Sequence, residues 1–192
     1  LTSPLSQSDF LIMLRHAPLG KSPGLDGIPF EIYQYLCPRI PAMSDLFLKI
    51  VHNALEGVFP ASWSKTRIIL LYKKGDPQLL QNWRPLSLIN TDAKLFTKLL
   101  ANRFNLTLPK LINPYQTGFM PNRLISDNGW MFRALMDNTK VTDPDSPKTA
   151  ALLDQEKAYD RVHPDYLRQV LLRFGYPPSL VHSLLTLLFL KK

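Results

Sequence analysis

Seventeen of the 192 residues are proline, and they are spread along the whole chain. Proline lacks a backbone N–H and fixes φ, so each one begins, ends or interrupts a regular element. The sequence therefore predicts short helices and strands joined by many turns, rather than a long helical rod or one extended linker.

Apolar residues recur at helical spacing in several segments between these prolines. Met43, Ile50 and Leu55 belong to one such stripe, with Gly57 just beyond its end, which predicts a helix over residues 43–55. The same reasoning predicts helices at about residues 8–16, 29–36, 92–108, 126–138 and 164–174, and from 179 onward.

Two compact apolar runs break the helical pattern. Arg67 to Tyr72 and Trp83 to Ile89 are joined by the polar turn KKGDPQ, which predicts a β-hairpin with basic residues at its tip. Ala150 to Leu153 reads as a buried strand that ends on Asp154, and VTDPDSPK, residues 141–148, reads as a surface loop. Helices interspersed with a few strands indicate the α+β class.

Composition excludes several classes of protein. Hydrophobic residues make up 45% and charged residues 20%, as in a globular chain, and the single cysteine, Cys37, excludes an internal disulfide framework. The four histidines show no metal-ligand spacing.

The longest apolar tract, residues 179–190, is too short and too interrupted to span a bilayer, and no leader is visible, so we expect an intracellular protein without a membrane anchor. The chain opens on Leu1 and stops inside an apolar helical pattern, which suggests a piece excised from a longer protein.

Positive charge is concentrated in one window of the chain. The formal net charge is +8, and between Ser64 and Lys110 nine basic residues face only two acidic ones, a surplus of seven charges. Such a stretch attracts phosphate polyanions and makes binding salt-dependent. A solvated helix face that happens to be basic is the alternative explanation.

The segment AALLDQEKAYDRV, residues 150–162, carries the most chemical information. A strand that ends on a carboxylate presents that carboxylate at a fixed point of the sheet edge. Mg²⁺ takes oxygen ligands and often binds through one or two protein carboxylates plus substrate phosphates. Taken alone, an aspartate that ends a strand is more often a turn residue or a helix cap than a metal ligand.

Four blocks of this sequence resemble reverse transcriptases of the non-LTR retrotransposon type. DQEKAYDRV, residues 154–162, is similar to their first carboxylate motif. The other three blocks occur in the order of that family: KSPGLDGIP at 21–29, LLYKKGDPQLLQNWRPLSLINTDAKLFTKLLANR at 70–103 and NPYQTGFMPNRLISDN at 113–128. Together they extend over most of the chain.

The resemblance implies the fingers and the opening of the palm of a right-hand polymerase. Residues 1–146 would form the fingers, with the hairpin at about 66–90, and residues 147–192 would begin the palm. The family's next motifs, a Gly/Gln loop and an aromatic-Ala-Asp-Asp hairpin, should follow the helix at 179–190, and no Asp-Asp pair occurs in the sequence. We therefore expect a domain truncated before the rest of the palm sheet, whose last helix exposes an apolar stripe because its partner strands are missing.

The same resemblance assigns catalytic roles to the segment that begins at Asp154. Asp154 matches the metal-binding aspartate, and the backbone carbonyl of Gln155 would touch a second ion; Mg²⁺ is the expected cofactor, with Mn²⁺ as its substitute. Tyr159 matches the steric gate that leaves no space for a 2′ hydroxyl, although a core aromatic packed under the strand is the alternative. Lys157 and Asp160 are expected to stabilise the loop.

Further residues of the matching blocks would contact nucleotide and template. Arg84 corresponds to the fingers arginine that grips the triphosphate, with Lys73 or Lys74 as a second cation, although exposed basic residues on a turn are the alternative. The expected template-binding residues are Gln116, Gly118, Phe119 and Arg123.

Three details of these blocks carry further expectations. Asn122 replaces the family's usual glycine, and because asparagine tolerates a positive φ, the turn should survive. KSPGLDGIP would contact template or shape the fingers. Trp83 is expected to pack rather than to stack on a base.

The resulting hypothesis is a partial reverse transcriptase domain that, when complete, makes DNA on an RNA template. Its partners would be the RNA template, a DNA primer end and dNTP, in the nucleus if the element is eukaryotic, and the 192 residues alone are expected to be inactive. The sequence does not specify an oligomeric state. One alternative is a catalytically dead remnant that only binds nucleic acid. Another is a group II intron maturase, against which the blocks KSPGLDGIP and NPYQTGFMPNRLISDN argue.

Overall fold

The structure of the chain, a computed structural model, describes residues 3–142 and 149–189. These residues form helices and one small antiparallel sheet, which confirms the α+β class. The elements are α1 (Gln7–Arg15), α2 (Phe30–Leu36), α3 (Pro41–Leu55), β1 (Arg67–Tyr72), β2 (Trp83–Leu88), α4 (Thr91–Asn105), α5 (Leu108–Leu111), α6 (Ile125–Thr142), α7 (Pro164–Arg173) and α8 (Pro178–Leu188). Short 3-10 turns lie at Ala61–Ser64 and Leu80–Asn82.

The chain divides into two compact units. The first unit contains the chain up to Ala101 and the chain from Pro164 onward, and the second contains Asn102–His163. The boundary expected between residues 146 and 147 lies outside the described residues, as do residues 143–148 of the expected surface loop. Helix α6 begins and ends slightly beyond the predicted range of 126–138.

The core of the first unit is built from the apolar faces of its helices. Phe10 of α1 stacks on Phe47 of α3 with ring centroids 4.3 Å apart, and Leu95 and Phe96 of α4 are fully buried. Ser6 caps α1, because its hydroxyl accepts a hydrogen bond from the Asp9 amide at 3.1 Å. These contacts explain why the helical stripes in the sequence predicted α1, α3 and α4 correctly.

Helix α8 packs more completely than the sequence suggested. Leu180 and Val181 are buried, and the hydroxyl of Ser183 donates a hydrogen bond of 2.5 Å to the carbonyl of Ala54 at the end of α3. The expected lack of partners is therefore wrong for the first half of this helix. Leu188 and Phe189 remain exposed at its end.

The two strands form the predicted hairpin, and both of its faces are largely exposed. Leu71 pairs with Arg84 and Tyr72 pairs with Trp83 in an antiparallel register. The rings of Tyr72 and Trp83 meet edge to face at 5.4 Å, so Trp83 packs as expected. Every residue of β1 is exposed.

The predicted strand Ala150–Leu153 is wrong. In the described part of the chain the only sheet is β1–β2, and residues 149–155 form neither helix nor strand. Leu152 and Leu153 are each 95% exposed. A strand needs a neighbour to satisfy its backbone N–H and C=O groups, and no neighbouring strand is present among the described residues of the second unit.

None of the helices in residues 3–142 and 149–189 combines the length with the apolar character that a membrane crossing requires.

Candidate nucleotide and nucleic-acid site

Three of the candidate nucleotide-binding residues lie on one braced hairpin of the first unit. Arg84 lies on β2 opposite Leu71, and Lys73 and Lys74 follow β1 directly at the turn. All three side chains are exposed, and the described residues show no ion pair to any of them. They are therefore available to phosphate groups on a ligand.

Hydrogen bonds hold the tip of this hairpin in one shape. The Lys73 amide donates to the Asn82 carbonyl at 2.9 Å, and the Asn82 side-chain amide donates to the Asp76 carbonyl at 2.8 Å. The Trp83 indole N–H donates to the Pro77 carbonyl at 2.9 Å, and the Tyr72 hydroxyl donates to the Gly75 carbonyl. The turn therefore fixes the backbone on which the cations are mounted.

The loop KSPGLDGIP is fastened to the start of α4, a relationship that the sequence did not reveal. Asn90 Oδ1 accepts a hydrogen bond from the Leu25 amide at 2.9 Å, and the Thr91 hydroxyl donates to the Ile28 carbonyl at 2.5 Å. Lys94 Nζ donates to the Ser22 carbonyl at 2.6 Å. Asn90 and Thr91 are buried. The only available signal was a pair of short polar residues directly after the second apolar run, which is also typical of a plain helix cap.

Buried polar groups surround the same junction. The Trp63 indole donates at 2.8 Å to Oδ2 of Asp92, which belongs to the first turn of α4. Burial raises the pKa of the Tyr33 phenol, and the negative charges of Asp92 and Asp26 raise it further. Burial also raises the pKa of the Cys37 thiol, which argues against a reactive cysteine.

The residues expected along the template lie in one loop of the second unit, between α5 and α6. Phe119 is 93% exposed with φ +59°, and Gln116 Nε2 donates to the Gly118 carbonyl at 3.2 Å. Asn122 has φ +59°, which confirms the expected positive φ at this position. Arg123 directs its guanidinium at backbone carbonyls of its own loop, those of Asn113 at 2.6 Å and Gln116 at 2.7 Å among them.

Asp154, Gln155 and Tyr159 lie on the exposed segment between α6 and α7. Tyr159 is 81% exposed, so it does not pack in a core. The turn after Asp154 is held by an Arg161–Glu156 ion pair at 2.6 Å and by the Arg161 amide, which donates to the Lys157 carbonyl at 3.1 Å. Lys157 has φ +50° in this turn.

Two oxygen donors of this segment bear on the expected magnesium site. The carboxylate of Asp154 and the carbonyl of Gln155 are the hard oxygen donors that Mg²⁺ prefers. Within the described residues, no group of three or more His, Cys, Asp or Glu side chains is arranged to hold a metal ion. The donors fit magnesium in kind, and further carboxylates would be needed for two ions.

Comparison with known proteins gives consistent matches. A family model described as "Reverse transcriptase (RNA-dependent DNA polymerase)" matches residues 71–192. The chain is 35% identical over 188 residues to the "Transposon TX1 uncharacterized 149 kDa protein" of Xenopus laevis, a match that covers 97% of this chain and 14% of that protein.

Two further relatives come from Drosophila melanogaster. The "Probable RNA-directed DNA polymerase from transposon BS" is 28% identical over 169 residues, which cover 85% of this chain and 18% of that protein. The "RNA-directed DNA polymerase from mobile element jockey" is 29% identical over 180 residues, which cover 88% of this chain and 18% of that protein. The chain thus spans less than a fifth of each of these three curated relatives.

Proposed function

Because this chain belongs to the reverse transcriptase family, of the type found in non-LTR retrotransposons, we propose that it supplies the fingers and the first palm segment of an RNA-directed DNA polymerase. The hairpin, the loop KSPGLDGIP and the loop between α5 and α6 belong to the fingers. The segment that begins at Asp154 opens the palm. The partners are an RNA template, a DNA primer end and dNTP.

The observation that carries this proposal is the exposed cationic hairpin. Negative charge builds on the triphosphate during nucleotidyl transfer, and preorganised cations stabilise it without further rearrangement. Arg84 can bind two phosphate oxygens at once through its planar guanidinium, and Lys73 or Lys74 adds a second positive charge. The braced turn keeps these groups in place before the nucleotide arrives.

Asp154 and Gln155 would hold the metal on the palm side. When bound there, Mg²⁺, or Mn²⁺ in its place, would supply Lewis-acid chemistry at the primer 3′ hydroxyl and the leaving pyrophosphate. Tyr159 lies five positions after Asp154 in the sequence, and its exposed ring is free to lie under the incoming sugar and exclude a 2′ hydroxyl. The loop between α5 and α6, which contains Gln116, Gly118, Phe119 and Arg123, binds the template strand.

A second candidate function is nucleic-acid binding without catalysis. The described residues contain no acidic cluster that could hold a metal ion, and the hairpin cations alone suffice to bind a polyanion. We propose that the 192 residues by themselves bind nucleic acid and do not polymerise. Polymerase activity then requires the family's Asp-Asp motif on a longer protein.

A primer-extension assay separates these functions. The test compares this chain, a longer protein from the same reading frame that carries the Asp-Asp motif, and the Asp154→Ala variant of that longer protein. We expect extension only by the unaltered longer protein. The matched control, Asp45→Ala, removes an exposed carboxylate on α3 and should leave the rate unchanged.

Two outcomes would contradict the proposal. Extension by the 192-residue chain alone would place the catalytic carboxylates elsewhere. Full activity of the Asp154→Ala variant would show that this aspartate only caps a turn.

A further inference from the structure

We propose that Arg123 is a positioning residue, whose guanidinium holds the loop between α5 and α6 in the shape that presents Phe119 to an unpaired template base. The proposal rests on the proposed nucleic-acid function and deepens it. It replaces the expectation that Arg123 itself contacts the template.

The guanidinium of Arg123 is occupied by its own loop. Besides the bonds from Nη1 to the carbonyls of Asn113 and Gln116, Nη2 donates to the carbonyls of Pro109 at 3.3 Å and Ile112 at 3.4 Å. Four of the five N–H donors of a guanidinium are thereby used. Charge-assisted hydrogen bonds of this kind are stronger than neutral ones. Arg123 therefore holds four backbone carbonyls of residues 109–116 close to its guanidinium.

This occupancy argues against a phosphate contact. To bind a phosphate bidentately, Arg123 would have to release at least one of these backbone carbonyls, because only one of its five N–H donors is unused. A lysine could not replace it, because an ammonium carries three donors on one atom and cannot reach four carbonyls with the spread of a planar fork. The conformation of the loop between α5 and α6 therefore depends on an arginine at position 123.

A second support fixes the other side of the loop tip. Asn128 Nδ2 of α6 donates to the Thr117 hydroxyl at 2.9 Å. Thr117 and Met120 are both buried, and they flank Gly118 and Phe119 in the sequence. The tip is therefore anchored on each side, and Phe119 is the large side chain that points away from these anchors.

The conformation of Phe119 is costly unless the ring has a partner. A residue with a Cβ atom costs roughly 1–2 kcal/mol in the left-handed region, where Phe119 lies at φ +59°. Its ring is also 93% exposed, which gives up the gain of burying an aromatic side chain. Such strained residues persist where the surrounding structure over-determines them, and they occur often at ligand sites.

An unpaired nucleotide base is the partner that suits this ring. Stacking of a base on an aromatic side chain is worth about 1–3 kcal/mol and tolerates any sequence, because every base has a π-face. Phe119 would supply this stacking from the second unit.

The test measures binding of two fluorescent probes to the 192-residue chain: an oligouridylate and an abasic oligomer of the same length. Phe119→Ala should weaken oligouridylate binding about tenfold, the equivalent of roughly 1.4 kcal/mol, and should leave abasic binding unchanged. Arg123→Lys and Arg123→Ala should cause the same loss. The double variant Phe119→Ala/Arg123→Ala should bind no more weakly than either single variant, since both remove one stacking interaction.

The salt dependence of binding distinguishes positioning from direct contact. A residue that binds phosphate contributes to counterion release, and its loss lowers the slope of log K against log salt by about one. We expect an unchanged slope for all Arg123 variants. A lowered slope in Arg123→Ala, together with full affinity in Arg123→Lys, would overturn the proposal.

Two further measurements keep the test decisive. Thr117→Val removes the support from Asn128 without touching Arg123, and it should reproduce the loss of oligouridylate binding; normal binding would count against the anchored loop. Amide hydrogen exchange at Gln116, whose N–H is bonded to the Asn113 carbonyl, should accelerate in Arg123→Lys without any RNA. If the unaltered chain binds neither probe, the proposed nucleic-acid function fails. If the exchange rate of the Gln116 amide is unchanged in Arg123→Lys, the positioning role alone is overturned.

Discussion

The backbone nitrogen of Asn90 lies only 2.5 Å from the point where a Cβ atom would stand on Gly24. The Cα atom of Asn90 lies 2.6 Å from the same point. Backbone atoms cannot move aside as the end of a flexible side chain can, so this contact requires glycine at position 24. This contact packs the loop KSPGLDGIP against the residues that directly follow β2.

Gly24→Ala should therefore destabilise the first unit. The added methyl forces the loop and α4 apart and strains the hydrogen bonds of Asn90, so the free energy of unfolding should fall by about 1–3 kcal/mol or more. Urea unfolding followed by circular dichroism measures the change. Gly129→Ala is the control: its Cβ meets nothing within 4 Å in helix α6, and alanine should stabilise that helix by about 0.5–1 kcal/mol. Equal stability of the two variants would argue against the close packing.

The fold could be predicted from the sequence where the pattern is local. The stripe of α3 and the apolar runs around KKGDPQ specify a helix and a hairpin through spacing and turn residues alone, and both are present. Residues 150–153 have an equally apolar pattern, but a strand depends on a partner from another part of the chain. No such partner is visible in local sequence.

The candidate site was predictable as residues but not as contacts. Arg84 and Lys73 could be placed on the hairpin because the turn residues fix the register. The carbonyl contacts of Arg123 depend on how its own loop folds back, and the attachment of Gly24 to Asn90 depends on packing between residues far apart in the chain. No periodicity encodes either. Arg123 shows the consequence, because the resemblance implied a template-binding residue, while its hydrogen bonds to loop carbonyls support the positioning role proposed above.

Charge reversal on the hairpin should flatten the salt dependence of nucleic-acid binding. Replacing Lys73, Lys74 and Arg84 by glutamate removes three groups that can displace counterions, so the slope of log K against log salt should fall by about three. A filter-binding titration of the 192-residue chain with single-stranded RNA measures it. The control reverses Arg15, Lys49 and Arg168, which are exposed and lie outside the hairpin. The same slope in both variants would remove the hairpin from the binding surface.

The stability of the chain should fall in alkaline solution through Tyr33. The pKa of Tyr33 is raised in the folded state above its ordinary value of 10.0, chiefly by burial, so the unfolded chain loses this proton at a lower pH than the folded chain. Because the unfolded state then binds fewer protons, the free energy of unfolding decreases as the pH rises above about 10. Tyr33→Phe should show a smaller decrease than the unaltered chain in urea titrations at several pH values.

Tyr115→Phe is the matched control, since Tyr115 is exposed in the loop between α5 and α6. This variant should keep the full alkaline decrease. Loss of the decrease in Tyr115→Phe, or its persistence in Tyr33→Phe, would show that Tyr33 is not the group responsible.

Tyr159→Val should relax sugar selection in the longer protein that carries the Asp-Asp motif. The valine side chain no longer fills the space that a 2′ hydroxyl would occupy, so the ratio of kcat/KM for dNTP over NTP should fall at least tenfold. Tyr166→Val, which alters another exposed tyrosine, should keep the ratio. If activity persists and the ratio does not change in Tyr159→Val, the residue does not act as a gate.

The bond from Ser183 to Ala54 joins residues 129 positions apart in the chain. The first unit is thus discontinuous: its last two helices are synthesised only after the whole of Asn102–His163 has been synthesised. Closing so long a loop carries a large entropic cost, and contacts of such high sequence separation slow folding. During translation, the face of α3 that contacts α8 stays exposed to solvent until α8 has been synthesised. The nascent chain is most prone to misassembly during this period.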